Sequence, residues 1–498
     1  MAQVLKKIAD YLTPNYQKLK TSTVFFWFFS CALFIRFPFF FRDYIDRDES
    51  TFIIMAQSWV DGHLPYTQLW DLKPPIIFLF FAILIKLFGK SFIAIRLAGT
   101  LMVAITAICT YKIANRTTST KVAFWVGIFT VIFQSLFGSL QGVMSEHICI
   151  TFFMVGLYTF LFKPQWYFVL LSGVFFGLSL MSKLNVAYPI FFLVIYLTWE
   201  AFRQKRLPAA IQKLFWLGFG ILIVITMTAL PYYLSGETML WWQSVFMAPM
   251  AYSSSKPATI IKVVLFFLLF SVWVLFSFKK GWLDFKKREA KILVVISFGI
   301  VFSFLQTGKI NGHYLILIYP PLLLLIELSV SKIGWLKKLN RPSILLIVFL
   351  LLPMEAYLEY YNIIKNKVQN DTFFNGEGIN VPKYIIGNQI DTKNILFFEY
   401  HIGYWLLNEE PPTKAATHPS TILRESMFPY MQNPRKTSME ELRYLMEKVR
   451  PPIVVTRRNR RVFDKKMEEA NAYINAYLEE NYQKLDSVDA ALIHQRLE

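Results

Sequence analysis

Cysteine, histidine and glycine are all sparse in this chain: 3, 6 and 21 among 498 residues. Cys31, Cys109 and Cys149 each fall inside an apolar run. That placement reads as small buried side chains and excludes a disulfide framework or a cysteine-based zinc set. Few glycines or prolines interrupt the long apolar stretches. Heptads, solenoid repeats and low-complexity tracts are missing as well. Acidic residues are scarce beside basic ones, 33 against 52, which leaves a net charge of +19. Such a surplus can mark a nucleic-acid binder, but here the basic clusters lie between apolar runs, where they act as topology signals. Nucleic acid is therefore not an expected partner. The first apolar run has basic flanks (Lys6, Lys7, Lys18, Lys20) and no small-residue cleavage site after it, so it reads as an uncleaved anchor.

What the chain does have is apolar bulk: 55% hydrophobic and 17% aromatic residues. Several runs approach or exceed the ~18–20 residues needed to cross a bilayer as a helix. The expected class is an α-helical polytopic membrane protein. The positive-inside rule puts the N-terminus in the cytoplasm. A first span over about 23–42 then delivers "YIDRDESTF", residues 44–52, to the outer side. The run "PPIIFLFFAILIKLFG" is short and contains Lys86, so it is laid along the outer interface. With that choice every large basic cluster falls in the cytoplasm, and about eleven spans result, the last over about 343–360. Residues 1–364 form the expected membrane domain. Residues 365–498 are polar, with strand-like "NILFFEY" and "PIVVT" and a helical "SMEELRYLMEKVR". They are expected to fold as a small extracytoplasmic α/β domain.

The threading collects ionisable groups on one membrane surface: Asp46, Asp48, Glu49, Lys73, Glu146, His147, Lys183, Lys256, Lys309 and His313, with Tyr314. Charges beside hydrocarbon are costly unless they pair or line a wet cavity. Each also has a plainer reading. Asp48 can cap a helix beginning near Glu49. Lys73, held by Pro74 and Pro75, can be a snorkelling lysine. Glu146 can cap the next span, and Lys183 reads as an ordinary loop lysine. Glu327, Glu355 and Glu359 read as structural.

The order of these residues carries more than any one of them. "DRDESTF", "LKPP", "SEH" and "KINGHYLILIYPPL" resemble, in sequence and spacing, the motifs of family 39 glycosyltransferases of the C-type fold, the family of protein O-mannosyltransferases and aminoarabinose transferases. The likeness covers about residues 20–330. It implies a sugar donor carried on a polyprenyl phosphate, an acceptor that is lipid A, another glycan or a protein, and an active site on the outer face of a bacterial cytoplasmic membrane. It further implies Asp48 as general base assisted by Glu49, and Lys73, Lys309, His313 and Tyr314 on the lipid phosphate. Glu146, His147 and Asp46 would contact sugar or acceptor, Asp46 doubling as the alternative base. Direct displacement would invert the anomeric carbon. No cofactor is required on this reading, though the carboxylates and histidines leave a divalent metal open. The rival class is a transporter or flippase of a polyprenyl-linked substrate, which should show broken helices at mid-membrane and internal repeats. Another C-type enzyme, or a binding module on a membrane anchor, are further alternatives.

Overall fold

A computed structural model describes residues 15–252, 257–308, 311–330, 332 and 350–497. The chain is predominantly helical. Among the described residues, seven helices are long and apolar enough to cross a membrane: Thr21–Phe41, Phe92–Thr117, Ser145–Phe162, Leu184–Arg203, Leu207–Leu234, Ile260–Lys279 and Arg288–Thr307. Three further expected spans coincide with shorter apolar helices, Thr120–Phe133, Trp166–Leu180 and Tyr319–Ser329. Residues 343–349 of the last expected span lie outside the described residues, and its remainder runs into the helix Met354–Asn370. The run placed along the interface forms the helix Pro75–Phe88. It starts with proline at its first position, where the missing N–H costs nothing, and stops at Gly89 with φ +66. Its 14 residues extend ~21 Å, short of the ~30 Å hydrocarbon core.

The chain divides into two compact units. The first holds Met1–Pro38, Arg96–Thr228 and Ser253–Glu359. Its helices pack closely where side chains vanish: a Cβ on Gly173 would come within 2.2 Å of the Leu217 carbonyl oxygen. Glycine there lets the helices Trp166–Leu180 and Leu207–Leu234 approach backbone to backbone, which is how helices associate when hydrocarbon surrounds them. Arg36 is fully buried in this unit. Its guanidinium donates to the carbonyls of Leu140 (2.5 Å) and Gly142 (2.7 Å) and to Thr100 Oγ1 (3.3 Å). It thereby fixes the turn that precedes the helix Ser145–Phe162.

The second unit joins Phe39–Ile95, Ala229–Tyr252 and Tyr360–Glu498. It contains a four-stranded sheet: β1 (Leu396–Phe397), β2 (Ile453–Arg457), β3 (Tyr482–Val488) and β4 (Ala491–Arg496), in the order β1-β2-β4-β3. β1 runs parallel to β2, and the other two pairings are antiparallel. "PIVVT" is β2, whereas "NILFFEY" yields only the two residues of β1. "SMEELRYLMEKVR" is helical, started by a reciprocal cap between Thr437 and Glu440. The helix Glu468–Asn481 and the β3–β4 hairpin were not read from the sequence. Leu396, Leu442, Leu445, Val454 and Ile474 form the core beneath the sheet.

This C-terminal segment folds around the residues that follow the first span. The helix Arg47–Val60 lies along residues 399–405. Arg47 and Tyr44 both donate to the Glu399 carboxylate, Tyr44 at 2.9 Å. Thr51 Oγ1 meets His401 Nε2 at 3.0 Å, and Trp405 Nε1 donates to Gln57 Oε1 at 3.0 Å. Just before the helix, buried Asp43 accepts from the Gly378 N–H at 2.7 Å. Gly376 nearby has φ +107, and a Cβ on it would come within 2.2 Å of the Asp43 carboxyl carbon. Glycine is required there both for conformation and for room.

Burial pushes the Asp43 carboxyl up to about 6. Its folded pKa lies above the ~3.9 of an unfolded aspartate. Its contribution to stability is therefore complete below pH ~4 and is lost as pH rises through about 6. Asp43→Asn removes that loss. The melting temperature of the variant, measured in detergent, should gain on wild type between pH ~4 and about pH 6.5 and level off above that. A constant difference across that range would show that Asp43 does not titrate as its burial implies.

Candidate active site

In the second unit the acidic stretch and the lysine-proline motif come together. Asp46, not Asp48, is the N-cap of the helix Arg47–Val60: its Oδ1 accepts from the Asp48 N–H at 2.9 Å. This corrects the cap expected at Asp48, and it gives Asp46, expected as the alternative base, a structural task. The signal was present in the sequence as Asp46-x-x-Glu49, an N-terminal helix pattern. With the cap two residues earlier, Asp48 sits in the first turn, where the helix dipole favours its negative charge. Glu49 is buried, 1% exposed.

Asp48 Oδ2 is 3.3 Å from Lys73 Nζ, and Asp48 Oδ1 is 3.6 Å from His418 Nε2. Lys73 is held by its own backbone and by an aromatic face. Its carbonyl accepts from the Tyr66 hydroxyl at 2.6 Å, and its ammonium lies 5.5 Å above the Phe52 ring. Trp70 steadies both sides of the cluster. Its backbone N–H donates to Thr417 Oγ1 at 3.2 Å, and its indole N–H donates to Ser244 Oγ at 3.0 Å. His418 Nδ1 receives the Ser420 N–H (3.2 Å) and faces the Ser420 hydroxyl (2.8 Å). A ring nitrogen that accepts carries no proton. The ring proton therefore sits on Nε2, which faces Asp48.

The second ring of the pair, His401, has its centroid 5.7 Å from that of His418. Its pKa lies well below the usual range because it is buried, and the neighbouring His418 and Arg47 reinforce the effect. It stays neutral at physiological pH. The sequence reading missed His401, His418 and Glu399, which sit in the C-terminal segment. Their partners are more than 300 residues away in the chain, and no local pattern announces them.

The first unit holds a second ionic group. Glu146 is 0% exposed and its Oε1 lies 2.6 Å from Lys183 Nζ. Ser145 Oγ donates to Glu146 Oε2 at 3.0 Å, and His313 Nε2 stands 3.7 Å from Oε1. The Lys183 ammonium also lies 4.4 Å above the Tyr314 ring, and His313 packs edge-on against Tyr314. Lys183 is thus no ordinary loop lysine: it is the counter-ion of a buried carboxylate. Glu146, His313 and Tyr314 thus come together in the first unit, while Lys73 lies in the second.

His147 does not join them. Its Nδ1 accepts from the Met144 N–H at 3.2 Å and its Nε2 donates to the Gln134 carbonyl at 2.9 Å, so both ring nitrogens serve the backbone. Lys256 and Lys309 lie outside the described residues. Glu355 accepts from Gln141 Nε2 at 2.7 Å. Asp46-Arg47-Asp48 is an Asp-x-Asp triplet. Even so, among the described residues no three His, Cys, Asp or Glu side chains are grouped to hold a metal.

Comparison with known proteins bears on the same elements. Residues 72–232 match the family model for dolichyl-phosphate-mannose-protein mannosyltransferase. The fold is similar to that of ArnT from Cupriavidus metallidurans bound to undecaprenyl phosphate, with TM-score 0.60, 12% identity, and coverage of 95% of this chain and 98% of that one. The fold is that of a C-type glycosyltransferase. The apo form of the same ArnT gives TM-score 0.60 at 11% identity over 95% of this chain and 97% of that one. The oligosaccharyltransferase AglB from Archaeoglobus fulgidus gives TM-score 0.46 at 10% identity, covering 97% of this chain and 75% of that one. No curated protein matches the sequence. The chain is a multi-pass membrane protein.

Removing one partner of a buried ion pair leaves an uncompensated charge and costs ~3–5 kcal/mol, whereas replacing both can be neutral. Lys183→Met should therefore lower the melting temperature sharply, and Glu146→Gln in the same chain should restore most of the loss. A double variant as unstable as the single one would show that packing, and not charge, holds this turn.

Proposed function

We propose that this protein transfers a sugar from a polyprenyl-phosphate donor to an acceptor hydroxyl on a lipid, glycan or protein, at the outer face of a bacterial cytoplasmic membrane. The observation that carries the reading is the Asp48 carboxylate, flanked by the Lys73 ammonium and the His418 Nε2–H on a C-type glycosyltransferase fold.

The chemistry asks for a base and for a cation at the leaving group. As the acceptor oxygen bonds to the anomeric carbon, the bond from that carbon to the phosphate oxygen breaks, and its electron pair stays on the phosphate. The lipid phosphate goes from one negative charge to two. A cation placed there acts where charge develops, which is the form of stabilisation that speeds a reaction. Lys73 suits this role as a compact charge. When the donor's phosphate draws Lys73 toward itself, Asp48 loses a counter-ion and becomes a better base for the acceptor proton. Attack opposite the phosphate inverts the anomeric centre. Glu146 is less suited to be the base, because Lys183 at 2.6 Å stabilises its charged form.

The reading is tested by transfer assays with purified protein, polyprenyl-phosphate sugars and membrane extract as acceptor source. Wild type should transfer. Asp48→Asn should lose ~10²–10⁴-fold in rate while retaining the donor, and Asp46→Asn, which keeps the capping oxygen, should remain active and folded. Lys73→Ala should raise the donor KM or lower kcat. Wild type inactive with every donor, alongside vesicle flipping of the lipid, would overturn the enzyme reading in favour of transport.

His418 is a positioning residue on this reading: it orients Asp48 and does not touch the sugar. His418→Ala should lower kcat with little change in donor KM. His418→Gln, which can still present an N–H, should recover part of the rate. Equal loss in both variants, or a loss confined to KM, would remove His418 from this role.

A further inference from the structure

The first unit contains a cavity that the transfer reaction does not use. It has a volume of about 430 Å³ and lies where three membrane-length helices end or begin: Leu184–Arg203, Leu207–Leu234 and Arg288–Thr307. Its polar lining is Glu200, Gln204, Arg206, Lys213 and Arg288, closed by Leu197 and other apolar groups. Among the described residues that line it, Glu200 is the sole acidic side chain, and that carboxylate is already engaged. Arg288 Nε donates to its Oε2 at 2.9 Å and the Tyr196 hydroxyl to its Oε1 at 2.8 Å. With Arg288 matched to Glu200, the charges of Arg206 and Lys213 are left over. Lys213 is further held in place by the Phe160 ring, 4.2 Å from its ammonium. The next stripe of the Leu207–Leu234 helix, Ile211 and Phe215, is apolar and about 60% exposed.

A surplus of positive charge in a pocket of small-molecule size, at the ends of spanning helices and beside an exposed apolar stripe, matches an amphiphile with a phosphate head. We infer that this cavity binds the headgroup of an anionic phospholipid, with Arg206 and Lys213 on the phosphate and the acyl chains along Ile211 and Phe215. The basic stretch "FRQKRLPAAIQK" belongs on the cytoplasmic side by the positive-inside rule, and basic pockets between spanning helices on that side are a recognised mode of lipid capture. A soluble phosphate would satisfy the cations but would gain nothing from the apolar stripe. The inference does not depend on the sugar-transfer reading.

The test is lipid binding by the full chain in phosphatidylcholine nanodiscs, with phosphatidylglycerol titrated in and bound lipid counted by native mass spectrometry. The double substitution Arg206→Gln, Lys213→Gln should weaken phosphatidylglycerol binding roughly 30-fold, the factor expected for two basic contacts at a membrane surface. The control Lys279→Gln, Lys280→Gln removes two exposed charges from a different helix end and should leave binding unchanged. Melting temperatures in pure phosphatidylcholine verify that both variants are folded; if the double variant is not, Arg206→Gln alone, at an exposed position, carries the same comparison. Equal weakening in test and control would reduce the effect to diffuse surface charge and overturn the site. Inorganic phosphate stabilising the protein as much as phosphatidylglycerol does would overturn the lipid assignment. Displacement of phosphatidylglycerol by an equimolar amount of polyprenyl phosphate would overturn it in favour of that lipid.

Discussion

A charge taken out of water must be met by another charge or by donors aimed at it, and this chain is organised around that requirement. Glu146, with no exposed surface, is met by Lys183 at one oxygen and by the Ser145 hydroxyl at the other. Arg36 is equally buried and is met by carbonyls of the turn after residue 134. These contacts fix how the turns at one end of the helices are folded, since a helix end that shifts would strand a charge in an apolar medium. The apolar faces supply the bulk of the packing. The buried polar groups decide which arrangement of those faces is accepted.

The second unit obeys the same rule with residues that are far apart in sequence. The stretch after the first span and the C-terminal segment share Asp43 with Gly378, Arg47 and Tyr44 with Glu399, and Thr51 with His401. The C-terminal segment is therefore more than an appendage to the spans. It supplies His418, which faces Asp48, and it holds the helix on which Asp48 stands. Asp48 differs from the buried carboxylates in being partly exposed, at 28% of its side chain. Its two cationic or N–H partners sit at distances that a substrate can still alter. A carboxylate meant to exchange protons needs that looseness, whereas a structural one such as Glu146 does not.

Much of the candidate site was legible where a local pattern carried it. Lys73 is set by two prolines, and His313 and Tyr314 by adjacency to a span. The cap at Asp46 was legible too, as Asp-x-x-Glu, but the crowding of carboxylates in "DRDES" hid which one begins the helix. Lys183 was misread because a lysine at a helix end normally snorkels to water, and only packing reveals that Glu146 lies within reach. His147 sits beside Glu146 in the chain, yet its ring turns to the backbone because Met144 and Gln134 offer it bonds. Sequence adjacency does not fix the direction of a side chain at the start of a helix.

The sequence alone determined the class: long apolar runs leave no alternative to membrane-spanning helices, since backbone groups in hydrocarbon must bond within their own segment. Prolines, glycines and basic clusters marked the neighbourhood of some helix ends, such as Pro75 and Gly89, because they act over a few residues. Only the tertiary structure decided which charges pair. Asp48 with His418, Glu146 with Lys183, and Arg288 with Glu200 are brought together by packing between elements tens to hundreds of residues apart. A carboxylate looks the same in a sequence whether its counter-ion is water, a lysine or a substrate; its neighbours in space distinguish the three.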